Sequence, residues 1–209
     1  IFILEADMLA PVNVGDAAGY YEMAMSAADG VKYPEAFVKY ARTYFPVNPN
    51  YAIDGLKKLL ELQPNSALAQ RELAEKYYDN DQLTMAAEQY GKYIQNPNHF
   101  KRDEQRYVGL LYFGKKYDES NALAAKILSE DPDNFYMKRM RMLNYAALEQ
   151  PEKAIEEGDK FFQATGEFVP NDYTTYGDML IAMGQDSIGV LQYEKALTLA
   201  PDKASLYKD

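Results

Sequence analysis

Cysteine is absent from this sequence, which excludes a disulfide framework, a zinc–thiolate site and a cysteine nucleophile. Histidine is nearly absent. The single one, His99, lies in "NPNHF" with no second histidine to share a metal and no nucleophile beside it, so it reads as a solvated or locally packed side chain. No run approaches the roughly 20 apolar residues of a membrane-spanning helix. The opening "IFILEADML" lacks the basic start and long apolar stretch of a signal peptide. Positive charge is in deficit: the formal net charge of −10 argues against the broad basic surface that nucleic-acid phosphates require. Alternating β-branched runs between hairpin turns are missing, so no sheet is predicted. Catalytic signatures are missing too. There is no G-x-G-x-x-G, P-loop or G-x-S-x-G motif. "DPDN" (Asp131–Asn134) opens like a calcium loop but lacks its third ligand, glycine and closing glutamate, and "DND" (Asp79–Asp81) fails in the same way. Glu156 and Glu157 are adjacent on one predicted helix and point in different directions. No enzyme activity, cofactor or metal is expected.

What remains is a folded composition. The 209 residues are 47% hydrophobic and 26% charged with ten prolines, too apolar for a disordered chain. Pro64, Pro97, Pro132 and Pro201 close similar stretches, "LKKLLELQP", "YGKYIQNP", "LAAKILSEDP" and "YEKALTLAP", each an amphipathic helix ended by a residue that cannot continue it. The outer steps, 68 and 69 residues, are close to twice 34. Apolar residues recur at three- and four-residue steps, and the turns are short: "PVNPN", "DND", "FGKK", "EQP" and "GQD". The predicted helices therefore fall into antiparallel pairs: 34–45 with 50–62, 66–79 with 82–95, 101–114 with 117–130, 134–148 with 151–164, and 170–183 with 186–199.

This pattern resembles the tetratricopeptide repeat, a 34-residue helix–turn–helix unit. The last full unit carries it best: Tyr173-x2-Tyr176-Gly177-x2-Leu180-x3-Gly184, then Gly189-x3-Tyr193-x2-Ala196-x4-Pro201, with only Gly189 standing where alanine is usual. Leu73-Ala74-x2-Tyr77 with Ala86-x3-Tyr90, Phe37-x2-Tyr40-Ala41-x2-Tyr44, "YFGKKYDES" and "PEKAI" with Phe161 and Phe162 mark further units. Ala17-x3-Tyr21-x2-Ala24 looks like the second helix of a truncated one. The resemblance implies an all-α, right-handed solenoid of antiparallel helix pairs as a single domain over 1–209. Its expected repeats are 1–30 (partial), 34–64, 66–97, 101–132, 134–168 and 170–201, with 202–209 beginning a further or capping helix. Small residues let paired helices approach, and many of the 19 tyrosines are expected to fill gaps with their rings while their hydroxyls find partners. The start at Ile1 and the last apolar stretch lead us to expect a processed protein or a piece of a longer one.

The resemblance also implies a function: a non-catalytic scaffold that holds a peptide segment or protein partner against the first helices, which line the concave side in this family. Arg102 and Arg106 are four residues apart on one helix face, and Arg71 and Arg139 share a slot two repeats apart with Gln105 between them. These arginines either form a basic strip suited to carboxylates or pair with neighbours such as Glu72, Glu75 and Glu104. Phe45, Tyr78 and Tyr112 recur at steps of 33 and 34 and either line the groove or pack between repeats. Some relatives grip a C-terminal carboxylate with lysines, asparagines and an arginine. Here Arg102 and Arg106 match one corner only, because the preceding repeats offer Val38, Lys39, Arg42, Arg71, Glu72 and Glu75 without the asparagines. Alternative expectations are an accessory domain of a larger enzyme or cell-envelope assembly complex, and self-association through open solenoid ends. The acidic, tyrosine-rich, cysteine-free texture resembles bacterial repeat proteins and suggests a periplasmic or envelope location, with the cytoplasm as the alternative.

Overall fold

A computed structural model describes residues 1–27 and 32–201; residues 28–30 of the first expected repeat and the expected further helix over 202–209 lie outside the described residues. Twelve α-helices and no strands occur among the described residues. The chain divides into two compact units, Ile1–Asp103 and Glu104–Asp209.

The first unit contains α1 (Phe2–Leu9), α2 (Val14–Ala27), α3 (Pro34–Tyr44), α4 (Pro49–Leu62), α5 (Ala67–Asp79) and α6 (Leu83–Gln95), each packed on the next among those that follow in sequence. The boundary falls one residue into α7 (Asp103–Phe113): Asp103 belongs to the first unit, and the second holds the rest of α7 with α8 (Tyr117–Glu130), α9 (Phe135–Ala147), α10 (Pro151–Phe162), α11 (Pro170–Ala182) and α12 (Asp186–Leu199). Local sequence sets these boundaries. Pro34, Pro49, Pro151 and Pro170 start helices, where their missing N–H costs no intrahelical bond. Asn48 adds a side-chain cap to the Pro49 start by accepting from the Tyr51 N–H, and Ser66 and Asn134 accept from Ala69 and Met137 at the starts of α5 and α9. The turn inside four of the pairs uses one device at repeat spacing. Asp81, Lys115, Glu149 and Gly184 have φ of 56°, 59°, 55° and 73°, and the residue after each donates its N–H back to Tyr77, Leu111, Tyr145 or Leu180.

Helix α1 was not anticipated as a partner for α2. Its apolar residues Phe2, Leu4 and Met8 are exposed and only Ala6 is buried, so no single-face periodicity announces it. Ala6 packs with Ala17, Ala18, Tyr21 and Tyr40. The tyrosines do what their amphipathic shape allows: Tyr21, Tyr90 and Tyr93 are fully buried, and their hydroxyls donate to Asp7 (2.7 Å), Glu75 (3.0 Å) and Asp103 (2.9 Å). Burial, followed by the bond to Asp7, pushes the Tyr21 phenol up to about 12. The apparent departure at Gly189 has a steric cause. A Cβ there would sit 2.5 Å from Ile181 Cγ1 and 2.9 Å from the Gly177 carbonyl oxygen, so α11 and α12 close to a distance that alanine would not permit.

Candidate functional site

A recurrent cation–acid pairing joins a first-helix residue to one about a repeat away within the same unit. Lys39 of α3 pairs with Asp7 of α1, Arg42 of α3 with Glu72 of α5, Arg71 of α5 with Asp103, and in the second unit Arg139 of α9 with Asp172 of α11. The separations are 32, 30, 32 and 33 residues, one repeat length each. Arg71 Nε donates to Asp103 Oδ2 at 2.6 Å, and Tyr93 Oη donates to the same oxygen at 2.9 Å. Burial works against the Asp103 carboxylate, but the bonds from Arg71 and Tyr93 outweigh it and hold its pKa below the usual aspartate value. The same bond raises the Arg71 pKa against the opposing effect of burial.

This node fixes the loop that follows α6. Tyr93 Oη accepts the N–H of Phe100 at 2.8 Å while donating to Asp103. Buried Asn96 donates to the carbonyl of Asn65 and to Gln70 Oε1, and its Oδ1 accepts the N–H of Asn98. His99 Nδ1 donates to the Asn96 carbonyl at 2.8 Å and its ring stands edge-on to Tyr93, so the histidine is locally packed. The anchored loop holds the Phe100 ring 57% exposed, opposite Leu68 of α5, which is 43% exposed. Between them opens a cleft of about 300 Å³ lined by Arg42, Ala67, Leu68, Arg71, Tyr93 and Phe100, among others.

Of the residues anticipated from sequence, Arg71 lines this cleft and Arg102 stands at its edge, its guanidinium 5.4 Å from the centre of the Phe100 ring and 3.9 Å from Asp103. Phe45 lies in the same unit at the end of α3 with the Lys76 ammonium 4.6 Å over its ring, and Tyr78 is part-exposed in the last turn of α5. The other three belong to the second unit. Arg106 is an exposed residue of α7. Arg139 is held by Asp172 (2.8 Å) and the Glu167 carbonyl (2.6 Å) above the rings of Phe135 and Phe161. Tyr112 packs against Tyr117 and the core around Val108 and Met137. Arg71 and Arg139 are thus engaged with acids at the start of the next first helix, a partner position not considered from sequence. Sequence reasoning also missed Leu68, Phe100 and the Asp103 node, although the repeat-length spacing of arginine and acid was a usable signal. Among the described residues no group of three or more His, Asp or Glu is arranged to hold a metal, and no helix is long and apolar enough to cross a membrane.

No family model matches the chain, and no curated protein matches it in sequence. Solved structures do match its fold. YrrB, described as a TPR protein with an unusual peptide-binding site, aligns over 87% of this chain and 93% of its own, with 12% identity and a TM-score of 0.67. MamA (41-end) from Desulfovibrio magneticus aligns over 83% of this chain and 98% of its own, with 17% identity and a TM-score of 0.68. The chain has the tetratricopeptide-repeat fold. A tetratricopeptide repeat protein from Parabacteroides merdae aligns over 95% of this chain and 77% of its own, with 18% identity and a TM-score of 0.53. At such identities the likeness is one of fold, and the pairing of small and aromatic residues in each tetratricopeptide unit here explains how so few shared residues suffice.

Proposed function

We propose that this chain is a non-catalytic scaffold that holds a peptide segment of a protein partner in the cleft between α3, α5 and the loop leading to α7. The observation that carries this reading is the rim of the cleft. Leu68 is fixed on α5 and Phe100 on a loop anchored by Tyr93 and Asn96, so apolar surface stands exposed at little ordering cost on binding. A volume of about 300 Å³ is at the small end of ligand pockets, which suits one or two side chains of an extended segment. The net charge of −10 favours a protein over a nucleic acid as the partner. A random peptide library panned against the purified chain supplies the test. Phe100→Ser, with helicity retained, should weaken the selected peptides by about tenfold or more, since one buried aromatic anchor commonly dominates such contacts. Wild-type affinity in that variant would place the site elsewhere.

A second reading, self-association, is favoured by α12. Ile188 and Leu191 are exposed where the matching positions of α10 carry Lys153 and Glu156. Light scattering over a concentration series should then show a dimer that Leu191→Lys abolishes, and a monomer throughout removes this reading.

A further inference from the structure

We propose that the segment bound in this cleft presents an acidic side chain next to a bulky apolar one, the apolar group seated between Leu68 and Phe100 and the carboxylate facing Arg42 and Arg102. This rests on the cleft being the binding site. The two exposed guanidiniums at the rim point to the acid. Arg42, Arg71 and Arg102 are balanced in number by Glu72, Glu75 and Asp103, but Arg71 is turned to Asp103 and largely covered, whereas Arg42 and Arg102 stand 56% and 78% exposed beside the cleft.

Glu72 and Asp103 are already committed. Glu72 accepts from Arg42 Nε (2.9 Å) and Nη2, and Asp103 accepts from Arg71 and Tyr93. Arg42 has five N–H donors and uses two of them on Glu72, while its side chain remains 56% exposed. Arg102 is 78% exposed and, among the described residues, meets the Phe100 ring and, at 3.9 Å, Asp103. Any segment laid over the cleft takes water from these two guanidiniums. A purely apolar segment leaves their remaining donors without partners, and a basic one adds like charge. A carboxylate replaces the lost water with charge-assisted, forked bonds. The ring of Phe100 contributes twice, packing the apolar side chain on one part of its surface and holding Arg102 in place on another.

The test uses the strongest peptide selected from the library, synthesised once as selected and once with each acid changed to its amide. The acidic peptide should bind about tenfold more tightly than the amide peptide. Arg102→Gln should weaken the acidic peptide by about three- to tenfold and leave the amide peptide unchanged, the difference isolating the guanidinium–carboxylate contact. Arg42→Gln gives a second reading of the same kind. Equal affinity of the two peptides, or an Arg102→Gln effect of the same size on both, overturns the proposal. If Phe100→Ser abolishes binding while the acid-to-amide exchange has no effect, the cleft reading stands and the acidic motif falls. If Phe100→Ser binds normally, both fall. Loss of peptide binding as the chain is concentrated would assign the cleft to a second copy and overturn the peptide proposal as well.

Discussion

Replacing Phe161 with alanine is expected to destabilise the second unit by about 3–5 kcal/mol. Phe161 has no exposed surface. Its ring lies 4.9 Å from that of Phe135, 5.0 Å from Phe162 and 5.2 Å from Phe168, and it packs with Met142, Tyr176 and Leu180. Truncation removes the hub of this aromatic group and leaves a cavity that three rigid rings cannot collapse into. It also withdraws one of the two ring faces beneath the Arg139 guanidinium, whose Nε is buried without a partner among the described residues. Chemical unfolding followed by circular dichroism measures the loss, and hydrogen exchange localises it to α9, α10 and α11. A change below about 1 kcal/mol would mean that the cluster is loosely packed.

The second large effect belongs to the site. Asp103→Asn is expected to cost roughly 2–3 kcal/mol. That is less than the loss on breaking a fully buried ion pair, because the Arg71 side chain is 25% exposed. The pH dependence carries a definite sign. The folded-state pKa of Asp103 lies below its ordinary value of 3.8, so its contribution is complete above that value and is lost as pH falls through the depressed folded pKa. The wild type should therefore lose stability more steeply than the variant as pH drops from about 5 to about 3. Glu157 is held down in the same direction: burial opposes its charge, and the bonds from Arg141 and Lys160 overcome that. It supplies a background slope common to both proteins. Parallel acid profiles for wild type and Asp103→Asn would show that the charge of Asp103 contributes nothing. Because Asp103 and Phe100 share the Tyr93 hydroxyl, the variant should also bind peptide more weakly.

The fold was legible because its determinants are local. Proline cannot continue a helix, so α4, α6, α8 and α12 end within two residues of Pro64, Pro97, Pro132 and Pro201. Helix α1 escaped notice because one buried alanine writes no period. The turn residues with left-handed backbone were legible as turns but not as a recurring conformation, since Asp81, Lys115 and Glu149 share no side-chain chemistry. The site was less legible for a different reason. An arginine at a repeated slot is visible in sequence, whereas its partner depends on which acid begins the next first helix. For Arg71 that acid is Asp103, adjacent to Arg102, a residue read as part of a basic strip. Phe100 sits in a loop with no periodicity to mark it, and its exposure follows from hydrogen bonds by Tyr93 and Asn96 that sequence does not show.

The central claim, that a peptide lies against Phe100, is tested most directly by photo-cross-linking. A photoreactive phenylalanine analogue is placed at position 100 in one protein and at Met85, an exposed position on α6, in another. The account predicts that the selected peptide is captured from position 100 and not from position 85. Capture from position 85 alone would move the binding surface to the second helices and contradict it.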